Sequence, residues 1–309
     1  MRVFRQSSLL MLGVWLSACA SVGTPYEPPT PVETEQGAAF ITPVSLSPLE
    51  DEPAHDWWRG LGDPALETLV EQAFEANLNL KIADANIRAS RASVTLQGIA
   101  RRPTGSLNAQ IDYGQPALAG GPVQVDVDPQ TVISAGGSAL WEPDLFGRLA
   151  QLDQAVLSDL ETQLWTRRDV QAVLAADVAR AWLEVRAAED ALSLTQDNLE
   201  IQRDTLDLTQ LRFDEGFATQ QDTSLASSQL RTTSALVPPL RANRIAALNR
   251  LATLTSLSVS EVEAQLEASG QLGLPRDLPT SLPLDDIESL LKRRADIRSA
   301  EQAYAAAFA

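Results

Sequence analysis

A thiol and an imidazole are the side chains most often recruited for nucleophilic, redox or metal chemistry, and this sequence holds one of each: Cys19 and His55. A lone cysteine cannot close an intrachain disulfide, and the two side chains together fall short of a metal-ligand cluster. His55 lies in a stretch rich in proline and acid, so no nucleophile–base pair is visible. No catalytic residue and no metal ligand is therefore assigned. Outside the first eighteen residues the chain has no methionine, which speaks against a soft-metal cargo. The formal charge is −17, and no stripe of Lys and Arg interleaved with aromatics occurs, which argues against nucleic acid as a partner.

What Cys19 can do is set by what precedes it. Arg2 and Arg5 form a charged leader, and "LLMLGVWL" (Leu9 to Leu16) is an apolar run too short to span a bilayer as a helix. "LSAC" then places Cys19 behind small residues, at a cleavage site. The arrangement resembles a bacterial lipobox, in which the cysteine is diacylated and becomes the mature N-terminus; an ordinary secretory leader with an incidental cysteine is the other reading. Ala20, rather than Asp, follows the cysteine and resembles outer-membrane sorting. Acyl chains anchor by about 0.8 kcal/mol per buried CH₂, so several would hold the protein firmly at a membrane. Loss of residues 1–18 removes two arginines and no acid, giving −17 − 2 = −19. Residues 19–62 read as an acylated, extended tether.

The elements that such an anchor would carry begin at Asp63, an expected N-cap, with Pro64 in the first helical turn. Leu66, Leu69, Val70, Ala73, Phe74, Leu80, Ala83 and Ile87 keep helical spacing, predicting one helix over 63–102 that Pro103 closes. A hairpin is expected over 103–143. Leu107, Ala109, Ile111 and Tyr113 share one face against Ser106, Asn108, Gln110 and Asp112. Ile133, Ala135, Gly137, Ala139 and Trp141 repeat the pattern. About ten residues rise ~33 Å, enough at a 45° tilt for the ~25 Å apolar band of an outer-membrane barrel. Two strands alone fit a soluble, half-buried hairpin equally well.

The texture changes within "WEPDLFGRL" (Trp141 to Leu149). Over 144–258 the pattern predicts a helical hairpin with its tip at 214–219. Leu157, Leu164, Val178, Val185, Leu192, Leu199, Leu206 and Phe213 recur at sevenfold spacing, interrupted only by Gln171. A second row, Ala187, Leu194, Ile201 and Leu208, lies nearly opposite, so one helix is expected to have a partner on each side. Gly216 breaks the run, Thr219 is the expected N-cap and Asp222 its N3 residue. Pro238 and Pro239 should kink the return helix, which fades near Leu257. Residues 259–283 read as a linker. Residues 284–309 match the stretch from Glu67: Ile287 pairs with Val70, Leu290 with Ala73, Leu291 with Phe74, Ile297 with Leu80 and Glu301 with Asp84. They read as the start of a second half-repeat.

In combination, the lipobox, "WWRGLGDPAL", the hairpin, "WEPDLFGRL", "RFDEGFAT" and "LLKRRADIRSAEQAYAAA" resemble the TolC/OprM-type outer-membrane factors of tripartite efflux systems. The likeness is strongest to the lipoprotein branch that works with resistance–nodulation–division (RND) pumps. It covers the whole chain, with two departures: Ala295 stands where the family usually has proline, and the chain reads as truncated after its first half-repeat. The resemblance implies a mainly α fold with a small β part, in which long antiparallel coiled-coil helices and a transmembrane β-hairpin contribute to a trimeric α/β barrel. It implies a passive, non-enzymatic conduit in the outer membrane that extends into the periplasm, with no cofactor beyond covalent lipid on Cys19. The implied partners are two further copies in a homotrimer, a periplasmic membrane-fusion adaptor, an inner-membrane RND transporter and outer-membrane lipid. Trp141, Pro143, Asp144 and Gly147 would form the hinge at the membrane rim. Gly216, Phe217, Ala218 and Thr219 match the adaptor-docking tip, although by residue type alone they make an ordinary tight turn.

Two other readings fit part of the pattern. A lipid-anchored coiled-coil spacer explains Cys19 and the heptads but not the alternating hairpin, and a non-functional fragment of a channel explains the abrupt end.

Overall fold

The computed structural model describes residues 26, 56–114, 128–270, 273–275 and 287–309. Cys19, His55 and the leader lie outside them. The chain divides into two compact units. One includes Arg88–Thr162 and Glu301–Ala309 with Tyr26; the other includes the described residues of Pro29–Ile87 together with Gln163–Ala300.

The second unit holds the hydrophobic core. A 3-10 turn, Trp57–Leu61, buries Trp58 and leads into α1, Pro64–Ala76. Asp63 caps α1 by accepting the Ala65 N–H at 2.9 Å, and Pro64 occupies the first turn, where a missing N–H costs nothing. The predicted continuous helix over 63–102 is not observed. It is interrupted at Asn77, whose side chain accepts the Asn79 N–H (2.9 Å) and donates to the Leu254 carbonyl (3.1 Å), and α2 runs from Leu78 to Ala100. A short amide that bonds backbone competes with the helix ladder, and here it ends one helix while starting the next.

The long helix α3 spans Arg148–Asp214, 67 residues or about 100 Å at the usual rise. Its middle presents Leu174, Ala175, Val178, Ala179, Trp182 and Val185 to Leu66, Leu69, Val70 and Ala73 of α1. The return path is α4, Gln220–Ser234, then α5, Val237–Thr255, which contributes Ala247, Leu248 and Leu251 to this core. Pro238 and Pro239 coincide with a full interruption of the return helix. The break falls just before them, at Ala235 and Leu236, and the prolines fill the first turn of α5.

The expected linker over 259–283 also needs correction. Ser258 and Glu261 form a reciprocal capping box that starts α6, Val259–Ala268, and Val262 and Leu266 of α6 are buried in the core. The last elements are α7, Ile287–Arg293, and α8, Ala295–Phe308. Their junction at Arg294 stands 294 − 77 = 217 residues after Asn77, the same offset that pairs Ile287 with Val70. The backbone bonds repeat too. Asn77 N–H to Ala73 and Lys81 N–H to Asn77 are matched by Arg294 N–H to Leu290 and Arg298 N–H to Arg294.

In the first unit, β1 (Thr104–Gly114) and β2 (Gln130–Leu140) pair antiparallel, with Leu107 opposite Gly137, Ala109 opposite Ala135 and Ile111 opposite Ile133. The register keeps the apolar residues of both strands on one face and Ser106, Asn108 and Gln110 with Ser138, Gly136 and Ser134 on the other. Val132 and Leu140 are apolar exceptions on the polar face.

Candidate functional site

Three places carry the features singled out in the sequence. At the strand–helix hinge, the predicted helix start at 144 is displaced to Arg148. Residues 145–147 form a turn, with the Leu145 N–H on the Pro143 carbonyl (3.0 Å) and Gly147 in the left-handed region at φ 83°. Asp144 still satisfies the helix start from a distance, accepting the Leu149 N–H at 3.2 Å and the Ala150 N–H at 3.0 Å. Burial works against the Asp144 charge but is outweighed by those two N–H groups, by Arg101 and by the Gly147 N–H, so the carboxyl is held below its ordinary range. The ladder ends at Leu140, opposite Thr104, three residues before Pro143, which has no N–H to extend it. Trp141 is exposed, as are Leu140, Leu145 and Phe146 beside it.

Charged residues that the sequence reading passed over complete the hinge. Arg101, at the end of α2, reaches Asp144 (3.4 Å) and Asp153 (2.8 Å), fastening the entry of β1 to the start of α3. Arg148 pairs with Glu142 at 2.6 Å. The alternation of charges around "RRP" and "WEPD" was the available signal. The hairpin beyond is exposed on both faces along its whole length. Its polar face is locally satisfied: Ser106 meets Ser138 at 2.9 Å, and the Gln110 amide donates to Asp112 at 2.7 Å.

The second place is the surface of α3. The first heptad row is covered in its central stretch, with Val178, Val185 and Leu199 buried, while Leu157 and Phe213 near its ends are exposed. The second row remains open within this chain: Leu194, Ile201 and Leu208 are 63%, 63% and 58% exposed. The expectation of a partner on each side is thus met on one side only by the chain's own helices.

The third place is the turn between α3 and α4. The Phe217 and Ala218 N–H groups both reach the Arg212 carbonyl, at 2.7 and 3.1 Å. Gly216 adopts φ 82° with open space around its Cβ position, so backbone conformation rather than crowding selects glycine. Thr219 and Asp222 form a complete capping box. The Thr219 N–H and hydroxyl, aided by Arg212 against slight burial, hold the Asp222 carboxyl below its usual range. Phe217 stands 78% exposed at the apex, while Ala218 is half-buried.

One polar cluster escaped the sequence reading altogether. Arg186, on the long helix, is fully buried; it donates to Asp63 (3.0 Å), the Leu266 carbonyl (3.2 Å), the Ser269 hydroxyl (3.0 Å) and Glu189 (3.1 Å). The Trp182 indole N–H shares the same Asp63 oxygen at 2.8 Å. This knot joins the starts of α1 and α3's core face to the end of α6. It organises structure and carries no reactive group. Among the described residues no group of three or more His, Cys, Asp or Glu could hold a metal ion, and no helix is long and apolar enough to cross a membrane.

Comparison with known proteins fits this arrangement. The sequence model of the Outer membrane efflux protein family matches residues 69–256. Nodulation protein T of Rhizobium leguminosarum bv. viciae is 27% identical, the match covering 100% of this chain and 61% of that protein. Pyoverdine export outer membrane protein OpmQ of Pseudomonas aeruginosa is 28% identical over 94% of this chain and 62% of its own length. The solved outer-membrane channel OprN superposes with a TM-score of 0.80 at 29% identity, over 93% of this chain and 62% of that one. CusC shares the fold at 20% identity, with a TM-score of 0.72. The chain thus spans about three fifths of the length of the relatives it matches.

Proposed function

This chain belongs to the outer membrane efflux protein family, and from that premise we propose that it is the outer-membrane channel component of a tripartite efflux pump. In this reading the protein is a passive homotrimeric conduit that moves small molecules outward, and not an enzyme. The observation that carries the proposal is a pair of surfaces left open by one chain. The hairpin exposes Leu107, Ile111, Tyr113 and Ile133 on one face, and α3 exposes Leu194, Ile201 and Leu208. A bilayer suits the first, with the serine-rich opposite face lining water. Helices of neighbouring protomers suit the second.

The hairpin would then sit in the outer membrane, with Trp141 at the periplasmic rim and the helices in the periplasm. Lipid on Cys19 anchors the same leaflet and is the sole non-protein group required. The tip at Gly216, Phe217, Ala218 and Thr219 receives a periplasmic membrane-fusion adaptor, and an inner-membrane RND transporter supplies the energy. The protein inserted in planar bilayers should pass ions without any added nucleotide; a membrane that stays silent would favour the structural spacer. In cells, Gly216→Pro or Ala218→Arg should leave membrane insertion intact and abolish drug efflux. Undiminished resistance in both variants would remove the docking assignment.

A further inference from the structure

Aromatic residues make up only 5% of this chain, yet three of them meet at one point. The Tyr26 ring lies 6.0 Å from Tyr304 and 6.0 Å from Phe308, edge-on to each at 62° and 61°. Tyr304 and Phe308 stand four residues apart on α8, with their rings 6.3 Å from one another. Residues at that spacing share one helix face, and edge-to-face contacts at such separations are favoured by the ring quadrupoles. Ala305, between them, is buried, while Tyr304 and Phe308 remain exposed as a surface shelf.

We propose that Tyr304 and Phe308 form a seat for the Tyr26 ring, and that this seat limits how far the lipid anchor strays from the folded chain. The second half rests on the reading of Cys19 as acylated. Cys19 and Tyr26 are 26 − 19 = 7 residues apart, a reach of at most ~25 Å. Pro25 and Pro28 flank Tyr26 and restrict the segment before it docks, which lowers the ordering cost.

Chymotrypsin cleaves after tyrosine and reports directly on Tyr26. The membrane-bound protein should release the peptide ending at Tyr26 slowly, and Tyr304→Ser combined with Phe308→Ser should release it roughly tenfold faster, as expected when two ring pairs of ordinary strength are lost. Equal rates would overturn the seat. Benzoylphenylalanine placed at position 26 of the otherwise unaltered protein should cross-link within residues 301–309; products only in lipid or elsewhere in the chain would overturn it as well. The mass of the released peptide tests the anchor separately. A peptide without acyl chains would overturn the anchor half of the proposal, while the cleavage rates would still decide the seat.

Discussion

Arg186 would ordinarily be placed on the solvated face of a helix, and nothing local in "LEVRAAED" says otherwise. Its partners Asp63 and Leu266 are 123 and 80 residues away, so its burial is invisible until the helices are packed. Asp63→Ala should therefore cost about 2–4 kcal/mol, because it removes the α1 cap and the fully buried carboxylate partner of Arg186, leaving Glu189 as its remaining carboxylate, whereas Asp63→Leu with Arg186→Met should recover most of that loss. Denaturant unfolding followed by helical circular dichroism would measure both. Equal destabilisation by the single and double changes would mean that the pair contributes packing rather than charge compensation. Thr219 and Asp222, by contrast, were legible as a cap, since their mutual bonds link residues three apart. The Asp222 carboxyl has a lowered folded-state pKa, so its contribution is complete above the ordinary carboxylate value of about 4 and drains away as pH falls through the lowered one. Amide exchange at the tip, corrected for intrinsic rate, should rise below about pH 4. In Asp222→Asn it should be elevated already at neutral pH and lack the acid step.

At the scale of elements, the hairpin separates two surfaces that differ by one residue of register. On the apolar face, Ile111→Lys would place a charge among lipid at a cost of about 2–4 kcal/mol near the midplane. Gln110→Lys, its neighbour on the polar face, should be tolerated. Outer-membrane yield and heat-resistant migration of the folded protein would rank the two, and an equal effect would argue that neither face meets lipid. The alternation was readable because strand period depends on local chain geometry alone. The Asn77 break was not, since the sequence keeps helical spacing across it. At the break the Asn77 side chain accepts the Asn79 N–H and donates to the Leu254 carbonyl, 177 residues away. The start of α6 is legible as well: "SVSE" is a capping box, set just before a stretch rich in glycine and proline.

For the whole molecule, assembly should depend on the open row of α3. Ile201→Arg together with Leu208→Arg changes two residues that touch little within one chain, so helix content and unfolding of the subunit should hardly move. The trimer expected from light scattering in detergent should fall to monomer. Persistence of the trimer would assign that row to something other than protomer contact.

The sequence by itself determined what depends on neighbours along the chain. It set the caps at Asp63, Thr219 and Ser258, the two faces of the hairpin, the left-handed glycine at the tip and the sevenfold apolar rows of the long helix. Each of these is a matter of backbone geometry over a few residues. Only the tertiary structure decided which of those rows is covered, where Asn77 divides a helix and that Arg186 is buried with Asp63. Such outcomes turn on which groups arrive from distant parts of the chain to exclude water and complete hydrogen bonds, and no local period encodes that arrival.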